Sequence, residues 1–183
     1  MQSKETISSY LYRKHVNDLF SYGVSMGFSD QICMDAIHDV FCVLYANDKK
    51  LEDILNVKHY LFISLKNRLI DIYRSSRKIN MLEKIEDFPF VIEVSILDSI
   101  IADDEHAILK ANVEKLMEQL TDRQREAIYL RYMQELSYED IAPLLDMTPE
   151  SVRKLVYRGI EKMRTHVKDD SKLLMLLLFL FPL

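Results

Sequence analysis

The chain has 183 residues, enough for one medium domain or two small ones, and 49% of them are apolar, so it can bury real cores. Only three glycines and four prolines punctuate it. Long Leu-, Ile-, Lys-, Glu- and Asp-rich stretches free of both favour helices over sheets, and an all-α protein is expected. The net charge of -5 argues against a uniformly basic nucleic-acid binder. Affinity for phosphate depends on local patches, however, and the charge here is laid out in blocks. Lys66, Arg68, Arg74, Arg77 and Lys78 face the single acid Asp71. Glu83, Glu86, Asp87, Glu93, Asp98, Asp103, Asp104 and Glu105 follow with only Lys84 opposing. Arg153, Lys154, Arg158, Lys162, Arg164 and Lys168 then stand against Glu161.

Enzyme chemistry finds little support. There is no glycine-rich phosphate loop, HExxH, CxxC pair or nucleophile elbow, and His15, His38, His59, His106 and His166 are scattered. Cys33 and Cys42 have no metal-ligand spacing and read as reduced thiols, as in a cytoplasmic protein. No catalytic residue, metal or cofactor is expected, and no small-molecule substrate. The polar N-terminus predicts no signal peptide.

In chain order, a first helical unit is expected from about Ile7 to Arg77. Ile32, Ala36, Ile37, Val40, Phe41 and Leu44 recur at helical spacing and define a buried face, with Asp35, His38 and Asp39 opposite. After a polar break at Asn47-Asp48-Lys49-Lys50, a second stripe of Leu61, Leu65, Leu69 and Ile72 reads as core. Asn67, Asp71 and Arg74 share a polar face of that helix. From Ile79 to Asp104 periodicity fades and acids dominate, as in a linker, although Val91 to Ile101 is apolar enough to form a short helix or dock in a groove.

The second unit starts near His106, with Leu109, Val113, Leu116 and Leu120 marking one helix. Thr121-x-x-Gln124 fits a capping box and Ser137-x-x-Asp140 resembles one. Asp146-Met147 makes a turn, and Thr148 caps a further helix with Pro149 at its first position. Two capped helices joined by a tight turn, the second one basic, form a helix-turn-helix signature. Ala142 is small where the two helices meet, and Gly159 lets a neighbour come close. Val152, Leu155, Val156 and Met163 form the buried stripe of the second helix. Ser151, Arg153, Lys154, Tyr157 and Arg158 therefore face outward, where Arg and Lys neutralise phosphates or grip guanine edges.

The stretches Leu120-Thr-Asp-Arg-Gln-Arg-Glu-Ala-Ile, Leu136-Ser-Tyr-Glu-Asp-Ile-Ala, Thr148-Pro-Glu-Ser-Val-Arg-Lys and Tyr157-Arg-Gly-Ile-Glu-Lys-Met-Arg164 resemble region 4 of the extracytoplasmic-function (ECF) sigma factors. That family reads the minus-thirty-five promoter element with this helix. By position, Arg153, Lys154 and Arg158 match its DNA-contacting residues, with Ser151 and Tyr157 beside them. Asp35-Ala-Ile-His-Asp-Val-Phe41 resembles region 2.2, which docks on the clamp helices of the polymerase β′ subunit, so Asp35, His38 and Asp39 are the expected polymerase contacts. Tyr60-Leu61 through Asn67, Asp71 and Arg74 resembles regions 2.3 and 2.4, which melt the minus-ten element and hold a flipped base.

Asn67 offers a donor and an acceptor to an exposed base edge, and Asp71 offers acceptors. Lys49 and Lys50, on a loop from Asn47 to Asp53, are expected to hold the nearby backbone. Phe62 and Tyr73 are candidate stacking partners, with core or rim packing the simpler role. The resemblance thus implies region 2 over 1–79, an acidic linker over 80–105 and region 4 over 106–168. The linker would thread the basic RNA channel of the polymerase as an RNA mimic, with a solvated tether as the plainer alternative. An apolar tail over 169–183 is too short to span a membrane. The implied partners are core RNA polymerase, through the β′ clamp helices and β flap, promoter DNA, and a membrane-bound anti-sigma factor.

The chain departs from the family pattern in three places. His38 stands where Gln is usual, Pro143 interrupts the first helix of the helix-turn-helix, and Asp146 replaces the common turn glycine. The competing reading is a stand-alone helix-turn-helix regulator of duplex DNA, which leaves the patterns at 35–41 and 67–74 unused. A pure interaction protein leaves the basic helix unused as well.

Overall fold

The computed structural model describes residues 7–46, 56–77, 88–92 and 105–167, without the side chains of residues 7, 8, 77 and 105–111. Lys49, Lys50, most of the expected linker and the apolar tail lie outside the described residues. Within them the fold is all-α and contains no strand. The chain divides into two compact units, residues 1–88 and 89–183.

Unit 1 is built from α1 (Ile7–Ser25), α2 (Asp30–Ala46) and α3 (Val57–Arg77), each packed on the other two. The stripe expected on α2 is buried at Ala36, Ile37, Val40, Phe41 and Leu44. Ile32 is only half-buried, and Cys33 takes its place in the core. One step around the helix accounts for the difference. On α3, Leu61, Phe62, Leu65 and Leu69 are fully buried, while Ile72, one turn further on, is half-exposed. Phe62 packs against Tyr22 with ring centroids 5.2 Å apart. It is core and unavailable for stacking on a base.

Helix α1 approaches α2 closely at Gly23, where a Cβ would sit 2.7 Å from the Cys33 sulfur. Burial, followed by the nearby Asp30 charge, pushes the Cys33 thiol up to about 11, so it stays protonated and unreactive. The helix stops in a left-handed turn: Gly27 has φ 82°, its N–H donates to the Val24 carbonyl, and Phe28 N–H donates to that of Gly23. The Phe28 ring then meets Phe88 at 5.5 Å, and Phe88 meets Tyr73 edge-on at 4.9 Å. Tyr73 is therefore rim packing.

Unit 2 begins with a strap outside any helix, residues 89–92, drawn from the expected linker. The Phe90 side chain is buried and packs edge-on to Tyr129 at 5.4 Å, and Ile92 is also buried. The strap precedes α4 (Glu105–Glu118), α5 (Asp122–Ile128), a π-helical turn (Tyr129–Met133), α6 (Tyr138–Leu144) and α7 (Pro149–His166). Thr121 and Gln124 form the expected capping box at α5.

Arg125 ties these pieces together. Its Nε donates to the Phe90 carbonyl at 2.6 Å, and its Nη1 donates to the carbonyls of Leu120 at 2.7 Å and Met117 at 3.1 Å. Its Nη2 pairs with Asp122, whose carboxylate also accepts from Phe90 N–H at 2.8 Å. Burial pushes the Asp122 carboxyl up, but the Phe90 N–H and Arg125 more than offset this and hold it below its usual value.

These contacts carry two predictions. His15 is buried on α1, and burial, reinforced by Lys14 and Lys58 against Asp18, holds its pKa below 6.5. The unfolded chain therefore takes up a proton before the folded one does, so stability falls as pH drops below about 6.5. Denaturant midpoints at pH 7.5 and 5.5 will show this loss, and His15→Gln will flatten it. In unit 2, Lys in place of Arg125 keeps the charge but cannot present the planar fork to three carbonyls. Arg125→Lys will cost about 2–3 kcal/mol in equilibrium unfolding, from buried acceptors left unmet.

Candidate nucleic-acid interface

The second half of unit 2 is a helix-turn-helix. Ser137 caps α6: its hydroxyl accepts from Asp140 N–H at 3.0 Å, while the Asp140 carboxylate accepts from Ser137 N–H at 3.3 Å. Pro143 is exposed inside α6 and does not break it, because a helix of seven residues asks for few i→i−4 bonds. The chain then reverses through Asp146, at φ 52°, with Met147 N–H donating to the Ala142 carbonyl at 2.9 Å. A left-handed residue is thus required at the position where the sequence lacks glycine, and Asp supplies it. Thr148 restarts the chain as the cap of α7, accepting from Ser151 N–H at 3.2 Å, with Pro149 in the first turn.

Helix α7 packs on α5 and α6 with Val152, Val156, Gly159, Ile160 and Met163 buried. At Gly159 an added Cβ would sit 2.9 Å from Ile128 Cδ1, so the glycine sets the α5–α7 approach. Leu155, expected in the buried stripe, is half-buried at its edge. The opposite face presents Arg153, Lys154, Tyr157 and Arg158, all exposed. Lys154 pairs with Glu150 at 2.7 Å, a solvent-exposed pair of small energetic weight. Ser151 is half-buried, with its hydroxyl accepting from that of Thr148 at 2.9 Å, so it is engaged in the cap.

In unit 1, α2 and α3 enclose an open groove of about 480 Å³, lined in part by Asp39, Tyr60, Ser64, Asn67, Arg68 and Asp71. Asn67 and Asp71 are exposed and lie together here, whereas Arg74 is half-buried and does not line it. Asp35 and His38 are exposed on α2; Asp35 accepts from Gln31 at 3.0 Å, and His38 Nε2 lies 3.4 Å from the Cys42 sulfur. Asp39 is engaged with α3: its Oδ2 accepts from Arg68 Nη2 at 2.7 Å and Nε at 2.9 Å.

Residues 110–163, from α4 through α7, match the family model described as sigma-70, region 4. Over 163 residues, 84% of this chain and 91% of the relative, the sequence is 23% identical to the ECF RNA polymerase sigma factor SigM of Bacillus subtilis (strain 168). Unit 2 thus matches region 4 of the sigma-70 family, and most of the chain is similar in sequence to an ECF sigma factor.

The all-α fold agrees. The sigma factor RpoE of Bartonella quintana, solved in complex with the anti-sigma factor NepR, superposes with a TM-score of 0.55. The match is 23% identical and covers 88% of this chain and 96% of that one. No helix among the described residues is long and apolar enough to cross a membrane. The described residues also hold no group of three or more His, Cys, Asp or Glu placed to bind a metal.

Sequence reading missed several members of these sites. Tyr60 and Ser64 line the groove beside Asn67, and neither of the aromatic candidates Phe62 and Tyr73 does. The position of Tyr60 and Ser64 on the α2-facing side of α3 follows from the same spacing that places Asn67 and Asp71. Tyr138, at the start of α6, was also missed; the guanidinium carbons of Arg131 and Arg153 lie 4.9 and 5.2 Å from its ring centroid. No local pattern marks that contact, because it joins three elements.

Proposed function

We propose that the chain is an ECF-type sigma factor that divides its work between its units: unit 1 docks on core RNA polymerase and handles the minus-ten element, while unit 2 reads the minus-thirty-five element. The observation that carries the reading is α7, capped and held by its buried face, which presents Arg153, Lys154, Tyr157 and Arg158 together on its exposed face. In a recognition helix such cations supply phosphate affinity, and Arg supplies bidentate contact to guanine.

The exposed face of α2 supports polymerase docking. Asp35, His38 and Asp39 lie along it, and Val43, 56% exposed, adds apolar area one turn beyond Asp39. The groove supports the minus-ten role. Asn67 donates and accepts, Asp71 accepts, and Tyr60 brings an aromatic ring to the rim of a cleft within the size range of small-ligand sites. An anti-sigma partner, like the one seen with the Bartonella sigma factor, is part of the proposal, as are cytoplasmic action and binding work rather than catalysis.

The stand-alone regulator reading uses only unit 2. A sigma factor gains promoter affinity with core polymerase, whereas a regulator binds duplex DNA alone. Purified protein will be retained stoichiometrically by bacterial core RNA polymerase, and Asp35→Ala with Asp39→Ala will lose that retention. Arg153→Ala and Arg158→Ala will bind core as the wild type does, yet weaken upstream-element binding by about 1–3 kcal/mol. Tight binding of free protein to duplex DNA without any binding to core would overturn the proposal.

A further inference from the structure

We propose that Tyr138 is a positioning residue for DNA readout, whose ring holds the Arg153 guanidinium in one direction on the recognition surface. This inference rests on the sigma reading of α7. Arg153 is exposed on α7, and its guanidinium carbon lies over the Tyr138 ring, 5.2 Å from the centroid. That distance is within the range of a cation–π contact, and Arg favours such stacking because its guanidinium is planar and weakly hydrated.

The ring is itself fixed from two sides. Tyr138 is the first residue of α6, directly after the Ser137 cap and its reciprocal hydrogen bonds with Asp140. Arg131, from the π-helical turn, lies over the same ring at 4.9 Å, and its Nη1 donates to the Leu136 carbonyl at 3.0 Å. Leu136 is buried. The brace therefore runs from the core of unit 2, through Arg131 and Tyr138, to the side chain of Arg153.

The neighbouring Lys154 is held differently. Lys154 pairs within its own helix with Glu150. Arg153 is instead aimed by a ring on another element. A free guanidinium finds the nearest phosphate, which carries no sequence information. One held in a fixed direction is ready for the two-pronged contact that distinguishes one base pair from another, with less ordering left to do on binding. Tyr138 thus acts on specificity through Arg153, without needing to touch DNA itself.

The test is selection of bound sequences from a pool of random duplexes by holoenzyme reconstituted with core polymerase, with core alone as control. The wild type and Tyr138→Phe, which keeps the ring, will enrich the same upstream motif. Arg153→Ala and Tyr138→Leu will both lose preference at the same base pair, by roughly tenfold, with thermal midpoint and retention by core unchanged. Adding Tyr138→Leu to Arg153→Ala will change nothing further, because the two act as one unit.

Full preference retained by Tyr138→Leu would overturn the inference while leaving the sigma reading in place. So would a uniform loss across all positions, tighter selection, or a further loss in the Arg153→Ala background. A wild-type holoenzyme that enriches no motif beyond core alone would remove the sigma reading, and this inference with it.

Discussion

Arg125 sits where three stretches of unit 2 would otherwise end in unmet backbone groups. Helix α4 closes just before Leu120, whose N–H donates to the Met117 carbonyl, α5 opens just beyond it with orphan N–H groups, and the strap at Phe90 brings one N–H and one carbonyl. Thr121 and Asp122 accept from the donors, and the fork of Arg125 donates to the carbonyls of Met117, Leu120 and Phe90. One planar group with several donors satisfies a site that would need several ordinary side chains. The consequence reaches the exposed basic face of α7, because α7 packs on α5. The direction of α7 is inherited from the point at which Arg125 anchors α5.

A chain with three glycines must reverse direction elsewhere without them. Among the described residues, Glu135 at φ 54° and Asp146 at φ 52° hold left-handed conformations that cost a side-chain-bearing residue about 1–2 kcal/mol. Each costly turn is followed by strong local order. Beyond Glu135 come buried Leu136 and the Ser137 cap, and beyond Asp146 comes the Thr148 cap. The burial of Leu136, Leu144 and Leu145 offsets the strain. These two turns bracket α6 and hold its short length in register between the π-helical turn and α7.

Much of this was legible in the sequence because it is local. Capping boxes, the proline at the start of α7, the Asp146 turn and the apolar stripes all depend on residues within one or two turns of each other, so spacing alone reveals them. The exposed identity of Arg153, Lys154, Tyr157 and Arg158 follows from the buried identity of their neighbours. What stayed hidden joins residues far apart in the chain. Nothing near Phe90 announces a partner at Arg125, because an acidic run around a Pro-flanked aromatic reads as a tether. The docking is decided by the open carbonyls of another element. Arg131 on Tyr138 and Arg68 on Asp39 escaped for the same reason. The stripe edges at Ile32, Ile72 and Leu155 escaped because a step of one residue around a helix turns a side chain by far enough to leave the core.

The Asp39–Arg68 pair bears on how charge is laid out along α2 and the groove it shares with α3. Both side chains are 47% exposed, so the pair is solvated and contributes little to folding stability. Its effect is on charge placement. Asp39 belongs to the α2 face and also lines the groove that holds Asn67 and Asp71, and an unpaired carboxylate there would repel a phosphate backbone. With two Arg68 nitrogens on one oxygen, its charge is largely masked from the groove while its second oxygen remains available.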